Sequence, residues 1–367
     1  MDAAVPLVDL APLLPLLLLA AVVALVPLSW WWLRHGHAAP RARLAALTAL
    51  TLFLTFDLIA FGAFTRLTDS GLGCPDWPGC YGSATPLGAR EHIDAAQTAM
   101  PTGPVTWSKA WIEMIHRYLA MAVGALILVM AVYSWAQRRR LTHSPWWATA
   151  TLVWVIVQGL FGKYTVTLKL YPAIVTLHLL GGLVLLALLA VQHQHFSGRA
   201  IALPRPLRRL AGLALAVLAV QVALGGWVST NYAVLACSGF PACNGQWWPA
   251  MEFAEGFSLL RHLGHTAEGA LLSFESLVGI HFVHRAFALV VVAVLAGLAW
   301  RLWQAGQRRF AGGLAALLAA QLASGLSNVV LGWPLAAALA HTAGAAALVL
   351  LLTLLIARSA APAPPAA

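Results

Sequence analysis

Nine apolar runs, each about as long as a membrane-spanning helix, dominate the sequence. A helix needs roughly 20 apolar residues to cross the hydrocarbon core of a bilayer. Of the 367 residues, 61% are hydrophobic and only 9% are charged, which is more apolar surface than a water-soluble chain buries. We therefore predict an all-α polytopic membrane protein surrounded by lipid. The predicted spans are 11–33, 43–65, 113–136, 146–168, 173–193, 208–229, 280–303, 310–332 and 335–357.

Basic residues occur in every second link between these runs, for example at Arg34, Arg138, Arg208 and Arg301. Lys and Arg are enriched in the cytoplasmic links of membrane proteins. The pattern predicts a multi-pass membrane protein with its N-terminus outside and its C-terminus in the cytoplasm. It also explains the net charge of +10 without nucleic acid as a partner. The first run has no basic residues before it, unlike a signal peptide, and is predicted to be a retained extra helix.

Two cysteine pairs share one pattern, Cys-x-x-aromatic-Pro-x-Cys-x-Gly. Cys74 and Cys80 form the first pair, and Cys237 and Cys243 stand 163 positions later in the chain. Outside the cytoplasm, such closely spaced pairs favour local disulfides. Zinc is the weaker alternative, because the usual Cys-x-x-Cys spacing is missing. A redox role for the pairs is left open.

Further matches at similar spacing indicate an internal repeat of four helices. A His-Arg sequence begins at His116 and recurs at His284, and a His-x-x-Gly sequence begins at His178 and recurs at His341. An even number of crossings separates the copies, so the repeat is parallel, with a pseudo-two-fold axis along the membrane normal. The predicted domains are an extra transmembrane helix at 1–40, an N-terminal four-helix bundle at 41–205, and a C-terminal four-helix bundle with a short disordered tail at 206–367.

The four histidines of the repeat are predicted to bind haem iron. Histidine inside a membrane span is costly and is a functional candidate by default. Two imidazoles from facing helices of a bundle are a common haem ligand set, which in this chain gives His116 with His178 and His284 with His341. A single such histidine is more often a hydrogen-bonded packing residue. Four at matching depths, beside arginines, favour haem.

The copies differ three residues before the first histidine of each pair, where one has Glu113 and the other His281. Residues i and i+3 share a helix face, so Glu113 is expected to face the same pocket as His116. A carboxylate there suits proton delivery or the stabilisation of positive charge. We therefore expect chemistry in the N-terminal half and a permanent haem in the C-terminal half. His281 is expected to orient a ligand or to serve as an alternative one.

Several long stretches resemble the haem A synthase family, in its bacterial type with two cysteine pairs. The resemblance extends over about 43–357, which leaves out the extra first helix and the tail. The matching stretches are 65–80, 109–118, 164–168, His178, the Cys237 to Cys243 loop, 281–285 and His341.

This resemblance implies two bundles with different haems. The N-terminal bundle would bind the substrate, haem O, through His116 and His178, with Glu113 as the catalytic carboxylate. The C-terminal bundle would bind haem b as a cofactor through His284 and His341. The reaction would oxidise the C8 methyl group of haem O to a formyl group by successive hydroxylations, and the haem A formed would supply cytochrome oxidase.

The resemblance implies a place in the bacterial inner membrane, and the residues and the resemblance together set expectations for other groups and partners. Arg66, Arg117 and Arg285 are expected to bind haem propionates, and both cysteine pairs to form disulfides. Haem O synthase, cytochrome oxidase assembly and an unidentified electron donor are the expected partners. The main alternative is a cytochrome-b-type protein that passes electrons from quinol through bis-histidine haems, and a transporter or haem chaperone is a weaker one.

Overall fold

A computed structural model of the chain describes residues 6–198 and 200–360. Its helices in chain order are α1 Leu13–His35, α2 Pro40–Leu67, α3 Arg90–Ala99, α4 Trp107–Ala136, α5 Trp146–Thr167, α6 Pro172–Ser197, α7 Arg205–Thr230, α8 Phe253–Gly256, α9 Phe274–Gln304, α10 Arg308–Val330 and α11 Leu335–Ala360. Short 3₁₀ turns lie at Pro86–Ala89, Arg138–Arg140 and Ala233–Leu235. The predicted disordered tail lies outside the described residues beyond 360.

Eight of the described helices are long and apolar enough to cross a membrane, namely α1, α2, α4, α6, α7, α9, α10 and α11. The protein is therefore a multi-pass all-α membrane protein, as predicted. The remaining predicted span, 146–168, forms α5, a helix of 22 residues. Gln158, Lys163 and four threonines lower its mean hydropathy, and it is not among the eight.

The described chain divides into two compact units. The first contains the described residues up to Leu170 together with Leu188–Ser197, and the second contains Tyr171–Ala187 together with the described residues from Gly198 onward. In the first unit α4 packs against α1, α2 and α5, and in the second α7 packs against α9 and α11. The domain boundaries at residues 40 and 205 and the internal repeat stay predictions.

Polar side chains fix the ends and the interiors of these helices. Thr106 caps α4 by accepting a hydrogen bond from the Lys109 N–H, and Ser273 caps α9 in the same way. Inside α2, the buried hydroxyls of Thr48 and Thr51 donate to carbonyls four residues earlier. Such bonds satisfy polar groups that lipid cannot.

The N-terminal segment is attached to the first cysteine loop by a short parallel ladder. Strand β1 (Val8–Asp9) pairs with strand β2 (Trp77–Pro78), and the Trp77 N–H donates to the Leu7 carbonyl at 3.1 Å. Helix α1 follows directly, and its fully buried Leu16 packs in one cluster with Cys74 and Met114. The extra helix is thus an integral part of the first unit.

Both cysteine pairs are disulfide-bonded, Cys74 with Cys80 and Cys237 with Cys243. All four residues are buried, at 2% exposure or less. This confirms the predicted disulfides.

Candidate functional site

The N-terminal part of α4 joins the predicted catalytic carboxylate to the first cysteine loop. Glu113 is 4% exposed, and its Oε2 accepts a hydrogen bond from the Cys74 backbone N–H at 2.8 Å. Its Oε1 accepts from the guanidinium of Arg117, one turn further along the helix. A backbone N–H and a cation therefore fix both oxygens of this buried carboxylate.

Arg117 also holds the cysteine loop in place. Its Nη1 donates to the carbonyls of Asp76, Pro78 and Gly79 at 2.9, 3.1 and 2.6 Å. The buried Asp76 carboxylate in turn accepts from the backbone N–H of Tyr81 at 2.6 Å. Burial, and secondarily the Asp76 charge, raises the pKa of the Tyr81 hydroxyl. In this structure the guanidinium of Arg117 binds the protein's own loop, and its contact with a propionate stays a prediction.

His116 lies on α4 against a glycine of α2. A Cβ added at Gly62 would lie 3.1 Å from Cε1 of the His116 ring, closer than ordinary van der Waals contact. The ring is also stacked on Phe61, with centroids 6.3 Å apart and an interplanar angle of 18°. The absence of a side chain at Gly62 therefore gives the imidazole its place between the helices.

The second unit repeats the link between an arginine and a cysteine loop. Nη1 of Arg285 donates to the Gly239 carbonyl at 2.9 Å, and Nη2 donates to the Cys237 carbonyl. Nε of Arg285 donates to Nε2 of His281 at 3.2 Å, and Nδ1 of His281 lies 2.9 Å from the Ala233 carbonyl. Both ring nitrogens of His281 are thus engaged by protein groups. These contacts give it an orienting role for Arg285.

His284 of α9 and His341 of α11 belong to the same unit. Each ring packs against a glycine on a third helix. An added Cβ would lie 2.9 Å from His284 Cε1 at Gly225 of α7, and 3.1 Å from His341 Cε1 at Gly325 of α10. The glycines allow the rings to lie directly on the helix backbone.

Polar side chains on these same helices reach the rings. The Gln221 amide nitrogen lies 3.2 Å from Nδ1 of His284, and the Ser324 hydroxyl lies 3.0 Å from Nδ1 of His341. Contacts at Nδ1 leave Nε2 as the ring nitrogen that can bind a metal. Two such rings from different helices of one unit are a donor set that fits haem iron.

The remaining predicted residues lie elsewhere. His178 belongs to α6 in the second unit, whereas His116 belongs to the first unit. Nδ1 of His178 is buried and has no hydrogen-bond partner within the described residues. Arg66 lies in the last turn of α2. The ligand role of His178 and the propionate role of Arg66 stay predictions.

Sequence reasoning assigned no role to the glycines beside the rings. Gly62 and Gly225 stand 163 positions apart, which is also the spacing between the cysteine pairs. This shared spacing is the sequence feature that could have pointed to the two glycines. Gly325 belongs to a Gln-x-x-x-Gly sequence that recurs at Gln158.

Comparison with known proteins identifies the family. Residues 45–353 match the family model COX15-CtaA, described as cytochrome oxidase assembly protein. The chain belongs to this family. The matched residues include both cysteine loops and the four histidines predicted to bind haem iron. They leave out α1.

Relatives within the COX15-CtaA family carry one name. A protein of Shewanella oneidensis named heme A synthase is 39% identical over 316 residues, which is 84% of this chain and 94% of that protein. One from Methylorubrum extorquens with the same name is 30% identical over 353 residues, covering 87% of this chain and 86% of that protein. Another, from Shouchella clausii, is 31% identical over 268 residues, covering 70% and 81%.

Proposed function

We propose that this protein is a haem A synthase, an oxidoreductase that converts haem O into haem A. The reaction oxidises the C8 methyl group of haem O to a formyl group by successive hydroxylations and loss of water. Family membership and the shared name of its relatives support the activity. The observation that carries the proposal is the difference between Glu113 and His281. The first is a buried carboxylate one turn from His116, and the second is a neutral partner of Arg285.

The second unit would hold haem b through His284 and His341. Their place in one unit, the glycines beside the rings and the polar groups at Nδ1 of each ring support this assignment. The bound haem would supply an iron centre that changes its oxidation state. The protein's part is to hold both imidazoles in fixed orientations, and the Arg285 contacts with the second cysteine loop close the outer end of this unit.

The substrate would be bound through His116 and His178, with Glu113 as the catalytic carboxylate. Helix α4 presents Glu113 three residues before His116, so both face one side of the helix. The Cys74 N–H and Arg117 hold the carboxylate still. A fixed charge of this kind suits the stabilisation of positive charge developing at the methyl carbon during its oxidation.

The setting of the reaction follows from the basic links and from the family. We assign the protein to the bacterial inner membrane, with the N-terminus and both cysteine loops outside and the C-terminus in the cytoplasm. Haem O synthase would supply the substrate, and assembly of cytochrome oxidase would consume the haem A. The two hydroxylations remove four electrons from the methyl carbon, so an oxidant is required in addition to the expected electron donor.

Chemical identification of the haems extracted from purified protein, by chromatography and mass, tests the proposal. Haem b together with haem O, its hydroxylated form or haem A is the expected result. Haem b alone, near two per chain, would favour the bis-histidine electron-transfer alternative. A well-folded preparation without haem would refute the ligand assignments.

A further inference from the structure

Arg261 is a buried cation without a carboxylate partner among the described residues. It lies in the loop between α8 and α9 and is only 2% exposed. None of the ion pairs in the described chain includes it, and Glu268 in the same loop is exposed. Burial lowers the pKa of the guanidinium, yet arginine keeps its proton in proteins. A buried charge is costly unless it is paired and hydrogen-bonded, so this one calls for an anion.

Neutral groups satisfy only part of the Arg261 guanidinium. Its Nη2 donates to Oδ1 of Asn231 at 2.6 Å and to the Gly256 carbonyl at 3.3 Å. Its Nη1 reaches the His265 carbonyl only at 3.5 Å, and the guanidinium lies 5.5 Å from the centre of the Trp227 ring. These contacts attach the loop to α7 and α8. Nε is buried and has no hydrogen-bond partner in the part of the chain that the structure describes, so one donor of the cation is left over.

Arg261 lines a cavity of about 440 Å³ within the second unit. Thr266 lines the same cavity, is 5% exposed, and has a buried hydroxyl that bonds to no other described residue. Tyr171 and His262 supply aromatic walls, with ring centroids 5.4 Å apart. Sites for small ligands have volumes of roughly 300–1,000 Å³. Two buried polar groups without partners in the described chain therefore line one cavity of ligand size.

The two groups and their place in the fold indicate the chemistry of the ligand. A carboxylate only accepts hydrogen bonds and pairs strongly with a guanidinium, so it suits both an N–H and an O–H donor. Tyr171 directly precedes α6, which carries His178, the proposed ligand of the substrate haem. His178 lies six residues after Pro172, about 9 Å along the helix axis. The cavity therefore lies beside the first turns of the helix that is proposed to bind a molecule with carboxylate side chains.

We propose that this cavity is a carboxylate site, in which Nε–H of Arg261 and the hydroxyl of Thr266 are the donors. Its place beside α6 favours a propionate of the substrate haem as the source, and this part of the inference rests on the proposed function. A small carboxylate from the solution at the outer face is the other source. Arg117 and Arg285 differ from Arg261, because their guanidinium groups donate to carbonyls of the cysteine loops.

The first test compares haem O with its dimethyl ester, in which both carboxylates are blocked, by optical titration of purified full-length protein. Thr266→Val removes the hydroxyl and keeps the shape of the side chain. It should weaken the binding of haem O about 10–100-fold and leave the binding of the ester unchanged. A purely structural role predicts no such difference, since the hydroxyl has no partner in the described chain.

Thr353→Val is the matched control for Thr266→Val. Thr353 is also 5% exposed, and its hydroxyl is likewise buried without a partner among the described residues, but it lies on α11 and does not line the cavity. This control should bind haem O and the ester as the unaltered protein does. Arg261→Lys keeps the charge and removes the Nε–H donor, so it too should weaken haem O more than the ester. The result for Thr266→Val stands even if Arg261→Lys fails to fold.

The second test identifies the source of the carboxylate by thermal unfolding in sodium acetate and in sodium chloride at equal concentration. Stabilisation by acetate that Thr266→Val abolishes, with unchanged binding of both haems, would assign the site to a small carboxylate and overturn the propionate. Thr266→Val and Arg261→Lys variants that match the unaltered protein in both assays would overturn the site altogether. An unaltered protein that binds no haem O would be a failure of the proposed function, and the acetate comparison would still decide whether the carboxylate site exists.

Discussion

Gly225→Ala should displace a proposed haem ligand by a distance that the structure defines. The new Cβ would lie 2.9 Å from Cε1 of His284 and 3.5 Å from its Nδ1. Ordinary contact begins at 3.4 Å, so the ring must move by about 0.5 Å. A binding site tolerates roughly 0.5 Å of misplacement. Overpacking lowers folding stability by about 1–3 kcal/mol. Alanine is a better helix former than glycine, which raises folding stability by roughly 0.5–1 kcal/mol.

The net expectation for Gly225→Ala is a loss of up to about 2.5 kcal/mol of folding stability together with reduced haem b content. Thermal unfolding in detergent and quantitative haem extraction measure the two effects. Gly212→Ala is the matched control, because it lies on the same helix and its Cβ would meet nothing within 4 Å. Gly212→Ala should keep its haem b and lose no stability. Identical haem content and spectra in both variants would refute the role given to Gly225.

Four other outcomes are expected. Glu113→Ala should retain haem and lose formyl product, and normal production of haem A would show that the carboxylate is not catalytic. His284→Ala should lose haem b, measured by extraction. Arg117→Ala should destabilise the protein by about 3–5 kcal/mol, because Glu113 is left buried without its cation, and an unchanged denaturation midpoint would contradict this. Burial lowers the pKa of His143 from 6.5, so stability should fall as pH drops below that value, and His143→Gln should flatten this pH dependence.

The candidate site residues can be read from the sequence, whereas the geometry around them cannot. Histidines in apolar runs, paired cysteines and the Glu113 to His281 difference are all visible as residue types at fixed spacing. Helix boundaries were less accurate. Helix α4 begins at Trp107 and α9 at Phe274, about one to two turns before the predicted apolar runs. Capping by Thr106 and Ser273 extends both helices through polar residues that hydropathy does not count.

The contacts of Arg117 and of the glycines could not be predicted from pattern alone. An arginine beside a proposed ligand suggested propionate binding, whereas the structure places its guanidinium on three carbonyls of a loop about 40 residues away in sequence. Likewise, Gly225 is one of several glycines in apolar helices, and only the distance between α7 and α9 distinguishes it from Gly212. Distances between helices depend on tertiary packing, which local periodicity does not encode.

The ladder between β1 and β2 has a practical consequence for producing the protein. Val8–Asp9 and Trp77–Pro78 can pair only if both lie on the same side of the membrane, so α1 and α2 must insert together before the ladder closes. In the proposed orientation β1 lies outside, so a bulky fusion partner that folds in the cytoplasm, placed ahead of β1, would hold that strand on the wrong side. The loop beside Cys74 would then lose its partner and Leu16 its place in the cluster. Affinity tags for this protein therefore belong at the C-terminus.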